Sequence, residues 1–282
     1  MIKNYGLNIQ KERDDSQSTD RVYGALTQIN PIVTVPDAVR NLYLPKGMAQ
    51  ILAEDTMSCV TRGFLNKIST DFNYFYATTM APENKKWFED NDFIDEIGKI
   101  KFSARFIAIL SGTTREGNSM KNVAQTINDR GLIPYSMLPQ DLSMTFDQYM
   151  DKTKITLGML AMGKEFQKHF KVNYDKVYAI HTVEANKEDM LVTCLYAWPN
   201  PVNGIYPRVE NDENHVVMKI RPNTYVFDNY EDYDLSDGGN FIKRLASNYK
   251  YYPYDYRFFI SAEYTTLTPE RINWLSDIIV RL

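Results

Sequence analysis

The chain has 282 residues, enough for one large domain or two lobes sharing a cleft. A formal charge of −4 argues against nucleic acid as a partner, and every apolar run is too short to span a membrane. Two cysteines, Cys59 and Cys194, cannot form a disulfide framework, and Met1-Ile2-Lys3-Asn4-Tyr5 carries no apolar export signal. The expectation is therefore a protein made in a reducing cytoplasm, cytoplasmic or virion-associated.

Residues 1–50 read as an N-terminal extended segment. Lys11 to Asp20 is almost wholly polar and belongs on the surface, and Pro31, Pro36, Pro45 and Gly47 then break any helix. A helical lobe is expected over residues 51–172. Asp55, Thr56 and Ser58 are candidate caps for a helix from about Cys59 to Phe75, with Val60, Phe64, Leu65, Ile68 and Phe72 as its apolar stripe. Further helices are expected over 103–110, over 120–129 after Asn118 or Ser119 and before Gly131, and over most of 145–171.

The character changes near Asn173. Val, Ile, Tyr and Thr dominate 175–181, 190–198, 215–221, 224–230 and 256–263, which read as strands. Residues 241–249 and 269–282 read as helices, so 173–282 forms a β lobe with a C-terminal helix. Helices first and strands second make an α+β fold: a helical lobe, then an antiparallel sheet or barrel lobe, with a cleft between them.

Cys59 is the residue of greatest chemical interest. A helix N-terminus favours the thiolate, the reactive form of the side chain. His215 opens a strand far downstream, and the next strand ends in Asp228-Asn229-Tyr230. Cys, then His, then Asp or Asn is the order of a cysteine nucleophile with an oriented imidazole base. Strand alternation puts His215 and Val217 on one face, and Val226 and Asp228 on one face of the next strand. Bland alternatives exist for each residue: Cys59 as core, His215 as a buried or capping ring, Asp228 as a turn residue. Cys194 reads as interior strand, His169 as the solvated face of a helix, and His181 as a substitute base. The acidic run 231–234 reads as a solvated loop, and the tyrosines of 249–256 as a packed connection.

This arrangement resembles the papain-like cysteine peptidases, most nearly the bacterial and phage-encoded members. The likeness is carried by Tyr5-Gly6 with Glu12-Arg13-Asp14, by Cys59 and its helix, and by Phe102-Ser103-Ala104-Arg105-Phe106. Gly117-Asn118-Ser119-Met120, Gly131-Leu132-Ile133-Pro134, Asn214-His215-Val216-Val217 and Tyr225 to Tyr230 extend it. It implies acyl transfer without a metal or cofactor, on a peptide or protein substrate. Cys59 would be the nucleophile, His215 the base and Asp228 the residue that orients it. The family's usual orienting Asn aligns with Asp228, and Asn229 falls one place further on. The usual oxyanion-hole Gln lies six residues before the Cys, where Ala53 stands, so Gln50 would need a three-residue insertion in the loop. Val60 also replaces the usual Trp. Two other functions compete: a papain-fold structural or binding component, for instance with protein partners in a virion, and a peptidoglycan-cleaving cysteine amidase or endopeptidase.

Overall fold

A computed structural model describes residues 5–15, 33–178, 185, 189–221, 224–230 and 241–262. Eight α-helices lie in the first part of the described chain: α1 (Ile9–Asp15), α2 (Arg40–Tyr43), α3 (Cys59–Thr78), α4 (Pro82–Asp90), α5 (Ala104–Leu110), α6 (Met120–Arg130), α7 (Phe146–Tyr149) and α8 (Leu157–His169). Seven strands follow: β1 (Phe170–Tyr178), β2 (Leu191–Leu195), β3 (Ile205–Tyr206), β4 (His215–Arg221), β5 (Tyr225–Phe227), β6 (Ile242–Leu245) and β7 (Tyr254–Ala262). The fold is α+β.

The strands form one sheet in the order β1-β7-β2-β4-β5-β6-β3. Pairing is antiparallel except between β3 and β6, so the sheet is mixed rather than purely antiparallel. Alternation along β4 divides its residues between two cores. Val216, Met218 and Ile220 join the large core that also holds Phe64, Ile68 and Phe72 of α3. Val217 joins a smaller core with Leu195, Val226, Leu245 and Tyr249. The nucleophile helix therefore lies against one face of the strand that begins with His215. Gly63 permits the close approach, since a Cβ there would stand 3.1 Å from Val216 Cγ1.

The end caps of the helical part follow their residue types. Ser103 and Ser119 accept from the backbone N–H groups of Phe106 and Asn122, and Thr145 with Gln148 forms a complete capping box. Gly131 ends α6 at φ 71°, with its Cα face against the carbonyl of Gly163.

Several expectations are corrected. Ile9–Asp15 is helical, and Glu12 within it is fully buried, because its carboxylate accepts from Tyr254 Oη (2.5 Å) and Met120 N (2.5 Å). Partners distant in sequence, not local composition, make this polar stretch fold. Residues 242–245 form a strand, not a helix: Lys243 and Leu245 turn inward while Arg244 is exposed, a period of two. The helical stretch expected over 145–171 breaks at a short 3₁₀ turn, Lys152–Lys154, and β1 starts directly at Phe170. Trp87 takes the His169 ring in a stack with centroids 4.3 Å apart, and Asn84 bonds its Nδ1, so that face is not simply solvated. Cys194 is buried strand core. His181, the acidic run 231–234 and the helix expected at 269–282 lie outside the described residues.

Candidate active site

Cys59 is the first residue of α3. Ser58 stands at the N-cap without capping the helix; its Oγ instead meets Thr56 Oγ1 (2.7 Å) and accepts from Arg62 Nε (2.9 Å). The backbone N–H groups of Val216 and Val60 act on the sulfur in favour of its ionised form. Cys59 is fully buried rather than at the rim of a groove. Burial pushes the thiol well above its ordinary value, Asp55 and Asp228 push it the same way, and the two N–H groups only partly oppose them. At rest the sulfur is a neutral thiol. The helix N-terminus that favours a thiolate is outweighed by loss of water.

His215 opens β4, and its Nε2 lies 2.6 Å from Asp228 Oδ1. Asp228 follows β5 and is held by its own N–H, which donates to Phe241 O (2.7 Å). Its Oδ1 also accepts from Asn229 N (2.6 Å), and its Oδ2 from Trp198 Nε1 (2.9 Å). Burial raises this carboxyl, but the His215 ring, the Lys243 ammonium and the Asn229 N–H together hold it below the usual carboxylate range. An ionised acceptor requires a proton on Nε2, so the neutral ring carries its lone pair on Nδ1. Nδ1 is buried and has no hydrogen-bond partner. The thiol and the ring are thus not bonded to each other. They are linked through the packing of α3 on β4, where Gly63 lies against Val216, the residue next to His215.

Three aromatic rings enclose the imidazole, with centroids at 5.7 Å for Tyr5, 5.1 Å for Tyr230 and 5.8 Å for Trp198. His215 and Asp228 have no exposed side-chain surface. Exclusion of water strengthens the charge-assisted bond between them.

Gln50 is brought to the same cluster despite its distance from Cys59 in sequence. Its backbone N–H donates to Asn229 O (2.9 Å), and its Nε2 reaches Tyr230 Oη (2.8 Å), Asp55 Oδ1 (2.9 Å) and the carbonyl of Tyr5 (3.1 Å). Asn229 faces away from the imidazole: its Nδ2 donates to Met48 O (3.1 Å) and its Oδ1 accepts from Asn66 Nδ2 (3.0 Å). Asp228 is the residue that bonds the ring.

The Tyr5–Leu7 segment lies across these residues. Tyr5 N donates to Asn214 O (3.3 Å), and Asn118 N donates to Gly6 O (3.1 Å). Gly6, at φ 103°, is pressed so closely on Met57 that a Cβ would stand 2.6 Å from that residue's backbone. Sequence reasoning missed Trp198, Tyr5 and Lys243 as neighbours of the pair, because they come from a loop, the N-terminal segment and β6. An indole just before the Pro199-Asn200-Pro201 break was the one local signal.

The fold is that of the papain-like cysteine proteases, with a thiol at the start of a buried helix and a histidine at the start of a strand packed on it. Two solved structures carry the likeness. One is the proform of the ragweed pollen allergen Amb a 11, a cysteine protease, with a TM-score of 0.52 and 12% identity over 93% of this chain and 76% of that one. The other is xylellain, a cysteine protease from Xylella fastidiosa, with a TM-score of 0.51 and 12% identity over 87% of this chain and 98% of that one. No family model matches the sequence. No curated protein matches it either.

Proposed function

We propose that the chain is a cysteine peptidase that cleaves peptide bonds by thiolate acyl transfer. The observation that carries this reading is the buried His215–Asp228 pair, whose one unpartnered ring nitrogen lies at the start of the strand on which the Cys59 helix packs. In the reaction, His215 Nδ1 takes the proton of Cys59 Sγ, and the sulfur attacks the substrate carbonyl carbon. The oxyanion that forms is received by the backbone N–H of Cys59 and by Gln50 Nε2. The imidazolium then passes its proton to the departing amine, leaving a thioester. Water, deprotonated by the same nitrogen, hydrolyses the thioester and restores the thiol. Asp228 keeps the tautomer fixed throughout. Gln50 already donates to one peptide carbonyl, that of Tyr5, which supports its assignment as a carbonyl donor. Loss of one such donor costs roughly a hundredfold in rate.

A second reading is a papain-fold binding component without catalysis, in a cytoplasmic or virion setting. The complete burial of Cys59 and His215, and the absence of a bond between them, favour it. Iodoacetamide labelling near pH 6, read by mass spectrometry, separates the two. A peptidase gives Cys59 labelling that falls roughly tenfold or more in His215→Asn, together with hydrolysis of a peptide library that Cys59→Ser abolishes. Labelling indifferent to His215, with no hydrolysis, defeats the peptidase reading.

A further inference from the structure

Asp228 brings a full negative charge to a place where the family resemblance leads one to expect a neutral amide. That charge is not left alone. Lys243 projects inward from β6 with 1% of its side chain exposed; its Nζ lies 3.5 Å from Asp228 Oδ2 and donates to Tyr230 O (2.5 Å). The ammonium also lies 5.4 Å from the centroid of the Trp198 ring that covers the carboxylate. Burying an ammonium is expensive unless it is paired and hydrogen-bonded, and both conditions are met here by groups that touch His215.

The chemistry gives such a cation a purpose. An uncompensated carboxylate would stabilise the imidazolium too strongly, so the ring would take a proton readily and release it poorly to the leaving amine. We propose that Lys243 is a positioning residue of the His215–Asp228 pair, its ammonium cancelling at the ring the charge that aspartate brings in place of an amide. The proposal rests on the peptidase reading for its purpose, but not for its test.

Other titratable groups face the ring. Tyr5 from the N-terminal segment, Tyr230 after β5 and Cys59 from α3 are all pushed up by burial and stay uncharged near neutrality. Asp55, before α3, spends its carboxylate on Tyr230 Oη, Gln50 Nε2 and Met57 N. Asp228 bonds the ring itself and Lys243 lies against Asp228 Oδ2, whereas Asp55 reaches the ring only through Tyr230.

The test is a thermodynamic cycle read by NMR titration of the histidine ring signals in the full chain. His215→Asn identifies the His215 signal among the three histidines. Lys243→Met is expected to move the His215 titration midpoint up by about one pH unit or more, and Asp228→Asn to move it down by a similar amount. The double variant, with neither charge, is expected within about half a unit of the parent. A midpoint unmoved by Lys243→Met, or a double variant that titrates like Asp228→Asn alone, overturns the proposal. If Lys243→Met does not fold, the double variant decides, because it leaves no charge buried without a partner. Cys59 labelling on the same variants separates the two ideas. A cycle that closes while labelling ignores His215 sinks the peptidase reading and upholds the charge cancellation. An unmoved midpoint sinks the cancellation whatever the labelling shows.

Discussion

The Tyr5–Leu7 segment packs on the His215 and Tyr230 rings and on Met57, two residues before the proposed nucleophile, and Gly6 is the position at which to unseat it. A Cβ added there would lie 2.6 Å from both the carbon and the oxygen of the Met57 carbonyl, which is backbone and cannot swing aside. The φ of 103° adds strain for any residue with a side chain. Gly6→Ala should therefore lift the segment. Lifting it breaks the Gln50–Tyr5, Tyr5–Asn214 and Asn118–Gly6 hydrogen bonds. At about 1 kcal/mol each they sum to about 3 kcal/mol, before any penalty from unpacking the Tyr5 ring. If the sulfur reacts only when the segment opens, a shift of about 3 kcal/mol raises the open population roughly a hundredfold. The assay is the second-order rate of Cys59 alkylation, with the buried Cys194 as an internal control and limited proteolysis to confirm that residues 5–7 have moved. A Cys59 rate within about twofold of the parent, with the segment displaced, would refute the gating argument. Equal acceleration at Cys194 would show general loosening instead.

Three further outcomes are expected. Lys67 is fully buried and bonded to both Asp71 (2.5 Å) and Asp189 (2.8 Å), and burial pushes the Asp71 carboxyl up to about 7 despite that ammonium. A raised carboxyl gives stability that is complete below about pH 4 and is lost as pH rises through about 7, so the urea midpoint of Asp71→Asn relative to the parent should climb between pH 5 and pH 8. A constant difference at both pH values argues against it. Phe72 has no exposed surface and meets Phe88, Phe102, Phe166 and Phe170 with centroids 5.3 to 5.7 Å away; Phe72→Ala should cost about 3–5 kcal/mol in denaturant unfolding. A cost below about 1 kcal/mol would mean the cluster collapses around the gap. Gly163→Ala places a Cβ 2.3 Å from Arg130 O, so it should destabilise the α6–α8 contact even though alanine is the better helix former; a higher thermal midpoint would show that the two helices can separate freely.

What could be read in the sequence followed the range of the interactions involved. Cys59 at a helix start and His215 at a strand start were legible because local periodicity marks both. Asp228 was legible as one of two neighbouring candidates, and only the hydrogen bond to Nε2 separates it from Asn229. The full burial of Cys59 was not legible, because the helix start predicts a thiolate and says nothing of the large core that takes the sulfur in. Residues 9–15 read as surface because Lys11 to Asp15 is polar, whereas Glu12 is drawn inside by Tyr254 and Met120. β6 read as helix because Ile242 and Leu245 are three apart, a helical spacing; in the strand they fall on opposite faces, and Lys243 and Leu245 are the pair that turns inward.

The bond from Tyr254 to Glu12 spans 242 residues of chain. During synthesis on a ribosome, Glu12 can be held by Met120 N, but its bond from Tyr254 cannot form until the last described strand has emerged. A nascent chain stalled before Tyr254 would therefore hold the buried Glu12 through Met120, with its second tie still to be made.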